Sequence, residues 1–236
     1  MMNLTETVLY SCGISLFTSF GIQKVEAKRP NILFIMTDQQ RYDMLSCAGN
    51  RYVHTPSLDQ LAENGVRFER NYCANPVSMP SRFAMITGRF AGEIGYTNNS
   101  TKPDTLRVLP VARESSVGNL FRNAGYETIY SGYPGFYCGR TDITDYGFIQ
   151  NGMDFYDGPS NFAESFFAGY KPEEDKPFFL YLSFMNPHDI CYGAGFDPRF
   201  PDKLRPHQIA ATQKYINFRK TLSEEEYRNQ IPPVPA

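Results

Sequence analysis

A serine and an arginine stand close together in the segment Ser78-Met79-Pro80-Ser81-Arg82, and Thr87-Gly88-Arg89 follows after a spacing of four residues. Because proline suits the first turn of a helix, Ser78 is expected near a helix N-terminus, where free N–H groups and the helix dipole favour an anion. Arg82 adds a guanidinium that keeps its charge and offers several directed donors. The spacing predicts an anion-binding site beside a hydroxyl; a loop serine before a proline turn is the alternative for Ser78.

Two apolar segments run directly into polar side chains that could bind a ligand. Residues 31–37 are typical of a buried strand and lead into Asp38 and Gln39. Residues 177–184 repeat the pattern and lead to His188, whose imidazole titrates near neutral pH. The loops beyond the carboxyl ends of parallel strands are the usual place for a site. We therefore expect Asp38 and His188 at the same edge of one sheet.

Helical and strand patterns alternate along the chain. Residues 55–65 begin with a capping threonine and a proline and end in glycine, which predicts a short helix. Residues 66–68 are predicted to form a strand, residues 115–124 a helix, and residues 126–131 a further strand. Residues 203–229 are polar and predict surface helices. The alternation predicts an α/β fold with a largely parallel central sheet flanked by helices.

The composition excludes several classes of protein. A chain of 236 residues fits one domain or two small ones, and 42% hydrophobic residues is an ordinary value for a folded protein. The 23 basic and 25 acidic residues give a net charge of −2 without a basic cluster interleaved with aromatics, so nucleic acid is not an expected partner. After the first thirty residues, no stretch approaches the roughly eighteen apolar residues of a membrane span, so no transmembrane span is predicted.

The first thirty residues differ in character from the rest. A mostly apolar run from Val8 to Ile22 precedes the small-residue pattern Val25-Glu26-Ala27. This order predicts a signal peptide over residues 1–27 and an exported protein, periplasmic or secreted. An N-terminal amphipathic helix is the alternative, and lipid attachment at Cys12 is a minor one.

Four further cysteines, Cys47, Cys73, Cys138 and Cys191, are widely spaced and form no CxxC pair that would indicate zinc. In an exported chain some of them could form disulfides. Their spacing does not define the pairing.

The motif around Ser78 resembles the signature of the sulfatase family. That signature has Cys or Ser followed by x-Pro-Ser-Arg and, four residues later, Thr-Gly-Arg, and all seven specified positions match here. The resemblance extends over residues 30–39, 55–59, 65–68, 125–128 and 178–188. It implies an alkaline-phosphatase-like α/β fold in which residues 28–236 are the N-terminal part of the catalytic domain, without the C-terminal part. A serine in the first position resembles the bacterial sulfatases that are matured without oxygen.

The resemblance implies that Ser78 is the precursor of a nucleophile. In the family a maturation enzyme oxidises the signature residue to formylglycine, an aldehyde whose hydrate supplies the attacking oxygen. An ordinary serine would be left as a stable sulfate ester, whereas a hydrate can expel sulfate by re-forming the aldehyde. Arg82 is implied to hold this hydrate and the carboxylates that bind the metal.

The resemblance also implies a calcium site and a proton carrier. Asp38 and Gln39 match the acidic pair that binds Ca²⁺ from the end of the first strand, and Ser78 belongs to the same ligand set. Gln39 replaces the more usual second aspartate, so it offers a carbonyl oxygen without a charge and is expected to weaken the site. His188 matches the histidine that contacts the sulfate or protonates the leaving oxygen. A turn or helix cap is the alternative for Asp38.

The chain departs from the family pattern after Gly132. Tyr133-Pro134-Gly135 stands where the family has Lys-Trp-His, and residues 190–236 contain neither the second metal-binding stretch nor a further sulfate-contacting lysine. Three functions are therefore weighed. The first is a sulfuric ester hydrolase acting on a sulfated sugar or another sulfate ester, the second a catalytically inactive relative that binds a sulfated glycan or a partner, and the third a phosphate-ester hydrolase of the same superfamily. The first explains the signature best.

Overall fold

The computed structural model describes residues 29–99, 110–132, 143–151, 158–174, 176–188, 213, 217–218 and 220–230. The chain divides into Met1–Pro30 and Asn31–Ala236, and every element below belongs to the second unit. The predicted signal peptide over residues 1–27, including Cys12, lies outside the described residues, as do Tyr133-Pro134-Gly135 and most of residues 203–229.

Four parallel strands form the sheet in the order β1-β4-β2-β3, where β1 is Ile32–Asp38, β2 is Glu127–Gly132, β3 is Ile149–Asn151 and β4 is Phe178–Pro187. β4 lies between β1 and β2, and its first six residues are buried. A strand covered on both faces needs the continuous apolar run that residues 178–184 provide. The predicted parallel α/β sheet is confirmed.

Seven helices accompany the sheet in the described part of the chain. They are α1 (Pro56–Asn64), α2 (Ser78–Thr87), α3 (Ala91–Ile94), α4 (Pro110–Glu114), α5 (Val117–Asn123), α6 (Gly158–Gly169) and α7 (Glu224–Gln230). Short 3-10 helices occupy Ser46–Ala48 and Ile143–Tyr146. None of these described helices has the length and apolar character that crossing a bilayer requires.

Two predicted elements differ from the structure. Residues 66–68 are not a strand, because no strand in the described part of the chain pairs with them, and Val66 and Phe68 are 80% and 76% exposed. β1 is a strand, as predicted, but it is not buried. It is the outermost of the four described strands, and Leu33 and Ile35 are 44% and 48% exposed. The sequence pattern indicated hydrophobicity and not position in the strand order.

The two faces of the sheet carry separate apolar clusters. Because side chains alternate along a strand, Phe179 and Tyr181 of β4 face one side and Leu180 and Leu182 the other. The first pair packs with Phe83 and further residues of α2, and the second with aromatic residues of α6. The helix that begins at Ser78 is thereby fixed on one face of the sheet, and the opposite face is closed by α6.

Gly132 ends β2 in a conformation that only glycine adopts easily, with φ at +103°. A Cβ atom at this position would overlap the carbonyl oxygen of Ser183 on β4. We expect Gly132→Ala to lower the free energy of unfolding by about 3 kcal/mol, from backbone strain and overpacking together. Urea unfolding measures the loss.

Gly49 supplies a matched control for that variant. Its φ is +89°, yet a Cβ atom there meets nothing within 4 Å. Gly49→Ala should therefore carry the backbone strain alone, and its loss of stability should be clearly smaller. Equal losses in the two variants would show that the close approach to β4 costs nothing.

Candidate active site

Three elements meet at the carboxyl edge of the sheet and bring the predicted residues together. Asp38 is the last residue of β1, Ser78 is the first residue of α2, and His188 directly follows β4. Asp38 pairs with Pro187 after a register irregularity at the end of the β1–β4 ladder, so His188 follows the residue that lies beside Asp38. The expectation that Asp38 and His188 share one sheet edge is confirmed.

Asp38 and Arg82 form a buried ion pair that also includes Ser78. The Ser78 hydroxyl donates to Asp38 Oδ1 at 3.2 Å, and Arg82 Nη2 donates to Asp38 Oδ2 at 3.1 Å. Arg82 is 4% exposed and Asp38 7%, whereas Ser78 is half-buried. The serine hydroxyl is therefore held at the border between solvent and a buried pair of charges.

The geometry of α2 explains why these side chains converge. Ser78 and Arg82 are four residues apart and so lie on one face of the helix, one turn from each other. Phe83 and Ile86 are buried in the apolar cluster and fix the rotation of the helix against the sheet. At the N-terminus, the Met79 N–H donates to the side-chain oxygen of Asn99 at 3.1 Å.

Ser183 is a site residue that the sequence analysis did not identify. Its hydroxyl accepts from Arg82 Nη1 at 2.9 Å, and the residue is fully buried on β4. Arg82 thus spans β1 and β4 with its two terminal nitrogens. A signal was present, because a hydroxyl inside an otherwise apolar strand needs a hydrogen-bond partner.

Tyr181, which interacts electrostatically with Arg82, belongs to an aromatic pair. The rings of Tyr181 and Tyr130 stack with centroids 4.8 Å apart, and the Tyr181 hydroxyl donates to the sulfur of Met36 at 3.3 Å. Burial, with a smaller effect of Tyr130, raises the pKa of Tyr181 well above its usual range. This phenol therefore stays neutral, and the charges of Arg82 and Asp38 interact in surroundings of low polarity.

Gln39 follows Asp38 in a left-handed conformation, with φ at 59°. This backbone region is uncommon for residues other than glycine, and asparagine and aspartate adopt it more readily than glutamine does. The chain turns sharply there, immediately after the buried carboxylate, and the Gln39 side chain is exposed. Strained backbone of this kind is often found at functional sites.

The described residues supply only part of a calcium site. Asp38 offers a carboxylate, Gln39 an amide oxygen and Ser78 a hydroxyl, whereas Ca²⁺ takes about six to eight oxygen ligands. Both Asp38 oxygens are already engaged, and the described segments contain no group of three or more His, Cys, Asp or Glu side chains that could hold a metal. The donor types suit a hard cation, but the ligand set is incomplete.

Comparison with known proteins places this chain in a family. The family model described as Sulfatase matches residues 30–224. The N-acetylglucosamine-6-O-sulfatase of Bacteroides thetaiotaomicron is 35% identical over 130 residues, which cover 55% of this chain and 22% of that protein. The chain thus spans about a fifth of the length of this curated relative.

Solved structures agree with the sequence comparison. A crystal structure from Bacteroides thetaiotaomicron that is assigned to the sulfatases matches with a TM-score of 0.58 at 24% identity, over 70% of this chain and 37% of that one. Another structure, which holds its substrate D-glucosamine-2-N,6-O-disulfate, matches with a TM-score of 0.53 at 25% identity, over 76% and 39%. These neighbours confirm the predicted alkaline-phosphatase-like α/β fold.

Proposed function

The chain belongs to the sulfatase family, and on that premise we propose that it hydrolyses sulfate esters of sulfated sugars. The observation that carries the proposal is the convergence of Ser78 and Arg82, both residues of the family signature, on the Asp38 carboxylate at the sheet edge. The name of the Bacteroides thetaiotaomicron relative gives its substrate as a 6-O-sulfate of N-acetylglucosamine, and the substrate-bound neighbour holds a sulfated glucosamine. A sulfated sugar is therefore the substrate class that we propose here.

We propose that Ser78 is oxidised to formylglycine by a separate maturation enzyme, so that its hydrate supplies the oxygen that attacks sulfur. The position suits this role, because Ser78 is half-buried at a helix N-terminus that favours an anion. Arg82 holds the Asp38 carboxylate in place and adds positive charge below the sulfate. His188 is proposed to contact the sulfate or to protonate the leaving oxygen.

Calcium is the metal that we propose for this edge of the sheet, with Asp38, Gln39 and Ser78 among its ligands. The ion would offset charge on the sulfate group, and further oxygens would have to complete its shell. The export signal proposed for residues 1–27 would direct the protein to the periplasm or the exterior, where calcium is available.

A second candidate function is binding of a sulfated glycan without turnover. It is favoured by Tyr133-Pro134-Gly135, which stands where the family has Lys-Trp-His. Loss of a sulfate-binding cation and a proton carrier normally lowers the rate of such a reaction by orders of magnitude. A phosphate-ester hydrolase is the weaker alternative, because the complete signature around Ser78 is that of the sulfatases.

The deciding experiment measures release of sulfate or phosphate by protein co-expressed with a serine-type maturation enzyme and supplied with calcium. The substrates are an aryl sulfate, N-acetylglucosamine 6-sulfate and the matching phosphate esters. Peptide mass spectrometry verifies oxidation of Ser78 independently of turnover. Sulfate release supports the proposed hydrolase, and phosphate release without sulfate release would favour the phosphate-ester hydrolase. Oxidised Ser78 without release from any substrate would contradict both and favour binding without turnover.

Gln39→Asp is expected to tighten calcium binding by about tenfold, because a carboxylate would replace a neutral amide beside Asp38. Aspartate also tolerates the left-handed backbone of this position. Isothermal titration calorimetry with calcium measures the change. Gln39→Asn is the matched control, since it has the same shape as the aspartate without the charge. If both variants bind calcium equally, Gln39 is not a ligand.

A further inference from the structure

A cavity of about 480 Å³ lies along the flank of α2. It is lined by residues 71–74, by one side of α2 at Ser81, Ala84 and Met85, and by residues 88–90 just beyond the helix. The helical members are spaced by three and four residues, so they form one side of α2. Ser78 and Arg82 are not among the lining residues, and the cavity is therefore separate from the site at the sheet edge.

Arg89 lines this cavity and gives it a positive charge. Its Nε atom is buried and has no hydrogen-bond partner within the part of the chain that the structure describes. A buried N–H without an acceptor is costly, and a guanidinium beside an open cavity is suited to bind the oxygens of a sulfate or carboxylate. The charge and the empty space together indicate an anionic ligand.

Two aromatic rings at the same cavity narrow the class of ligand. Tyr72 is 84% exposed and Phe90 is 67% exposed, so both rings are free of the core. Large exposed rings stack readily on other flat apolar surfaces, which include the apolar faces of sugar rings. Asn71 adds an amide that can both donate to and accept from sugar hydroxyls. The volume lies within the range of small-molecule sites.

We infer that this cavity is a second saccharide site, in which Arg89 holds the sulfate or carboxylate of an acidic sugar between Tyr72 and Phe90. The choice of a saccharide rests on the proposed function. Since α2 rises about 1.5 Å per residue, Gly88 lies roughly 15 Å along the helix from Ser78. The sugar bound beside Arg89 is therefore a different unit of the saccharide from the one whose sulfate lies at Ser78.

Cys73 allows this site to be tested without any turnover. The thiol is free and exposed and lines the cavity, whereas Cys47 is free, half-buried and outside it. Protein expressed without a maturation enzyme is treated with iodoacetamide, and the alkylation of each cysteine is followed by peptide mass. The probes are chondroitin 6-sulfate tetrasaccharide, desulfated chondroitin tetrasaccharide and neutral chitotetraose. The first two distinguish sulfate from carboxylate, and the third carries neither group.

We expect an acidic tetrasaccharide to slow alkylation of Cys73 but not of Cys47, and chitotetraose to have little effect. Arg89→Met should weaken the binding by about 10- to 100-fold, the loss of a charge-assisted hydrogen bond. Arg67→Met is the matched control, because Arg67 is an exposed arginine outside the cavity lining. Tyr72→Ala, which alters an exposed ring, carries the test if Arg89→Met does not fold.

The inference is overturned if no acidic tetrasaccharide protects Cys73, or if Arg67→Met weakens binding as much as Arg89→Met. Failure of this inference can be distinguished from failure of the proposed function. Sulfate release without protection of Cys73 would support the hydrolase and contradict the second site. Protection of Cys73 without sulfate release would support the second site and contradict the hydrolase.

Discussion

Replacement of Arg82 by methionine is expected to lower the free energy of unfolding by about 3–5 kcal/mol. The arginine donates to Asp38 and to Ser183 from a position that is 4% exposed. Methionine fills a similar volume but leaves the Asp38 carboxylate buried, with the Ser78 hydroxyl as its only hydrogen-bond partner among the described residues. Urea unfolding followed by circular dichroism, without added calcium, measures the loss.

A double variant separates the loss of the charge from the loss of packing. Arg82→Met combined with Asp38→Leu removes both members of the pair, and apolar replacement of a whole buried pair is often nearly neutral. The double variant should therefore recover most of the stability that the single variant loses. If it is as unstable as Arg82→Met, the uncompensated carboxylate is not the cause.

Ser78→Ala is expected to lower sulfate release by at least about a thousandfold, because alanine cannot be oxidised to the aldehyde and leaves no nucleophile. Stability should change by only about 1 kcal/mol, since the variant loses a single hydrogen bond to Asp38. Matured protein with calcium and an aryl sulfate provides the rate, and urea unfolding provides the stability.

Ser78→Cys is the informative companion, because the family signature accepts either residue. Co-expression with a maturation enzyme that acts on cysteine should restore turnover in this variant. Turnover that persists in Ser78→Ala would remove Ser78 from the mechanism, even if the Cys variant were also active.

Much of the site could be predicted because local patterns and one topological rule determine it. An apolar strand that ends in Asp38 and a proline-initiated helix that begins at Ser78 can each be identified from a few consecutive residues. The rule that parallel strands end at one edge places Asp38 beside the end of β4, whereas the grouping of Ser78 with Asp38 comes from the resemblance to the sulfatase family. His188 follows from the same rule, and its role in the reaction stays a prediction.

The features that could not be predicted depend on the order of the strands in the sheet and on which face of the sheet a side chain lies. Ser183 alternates with apolar residues in β4, and the sequence does not show that its side of the strand meets Arg82. The exposure of Leu33 and Ile35 likewise depends on β1 being the outer strand, which hydrophobicity alone cannot indicate. Val66 and Phe68 have strand-like composition, but a strand exists only where a neighbour supplies hydrogen bonds.

The contacts of Arg82 also bear on the order of events during folding. Asp38 and Ser183 lie 44 and 101 positions away from Arg82 along the chain, so closing these contacts requires large loops. Contacts between residues far apart in the sequence are expected to form late, because closing the loop between them costs chain entropy before the contact adds any stability. We therefore expect the sheet edge that carries Ser78 to be assembled only after β4 has docked between its neighbours. A chain in which β4 is not yet docked would contain the signature residues but no assembled site.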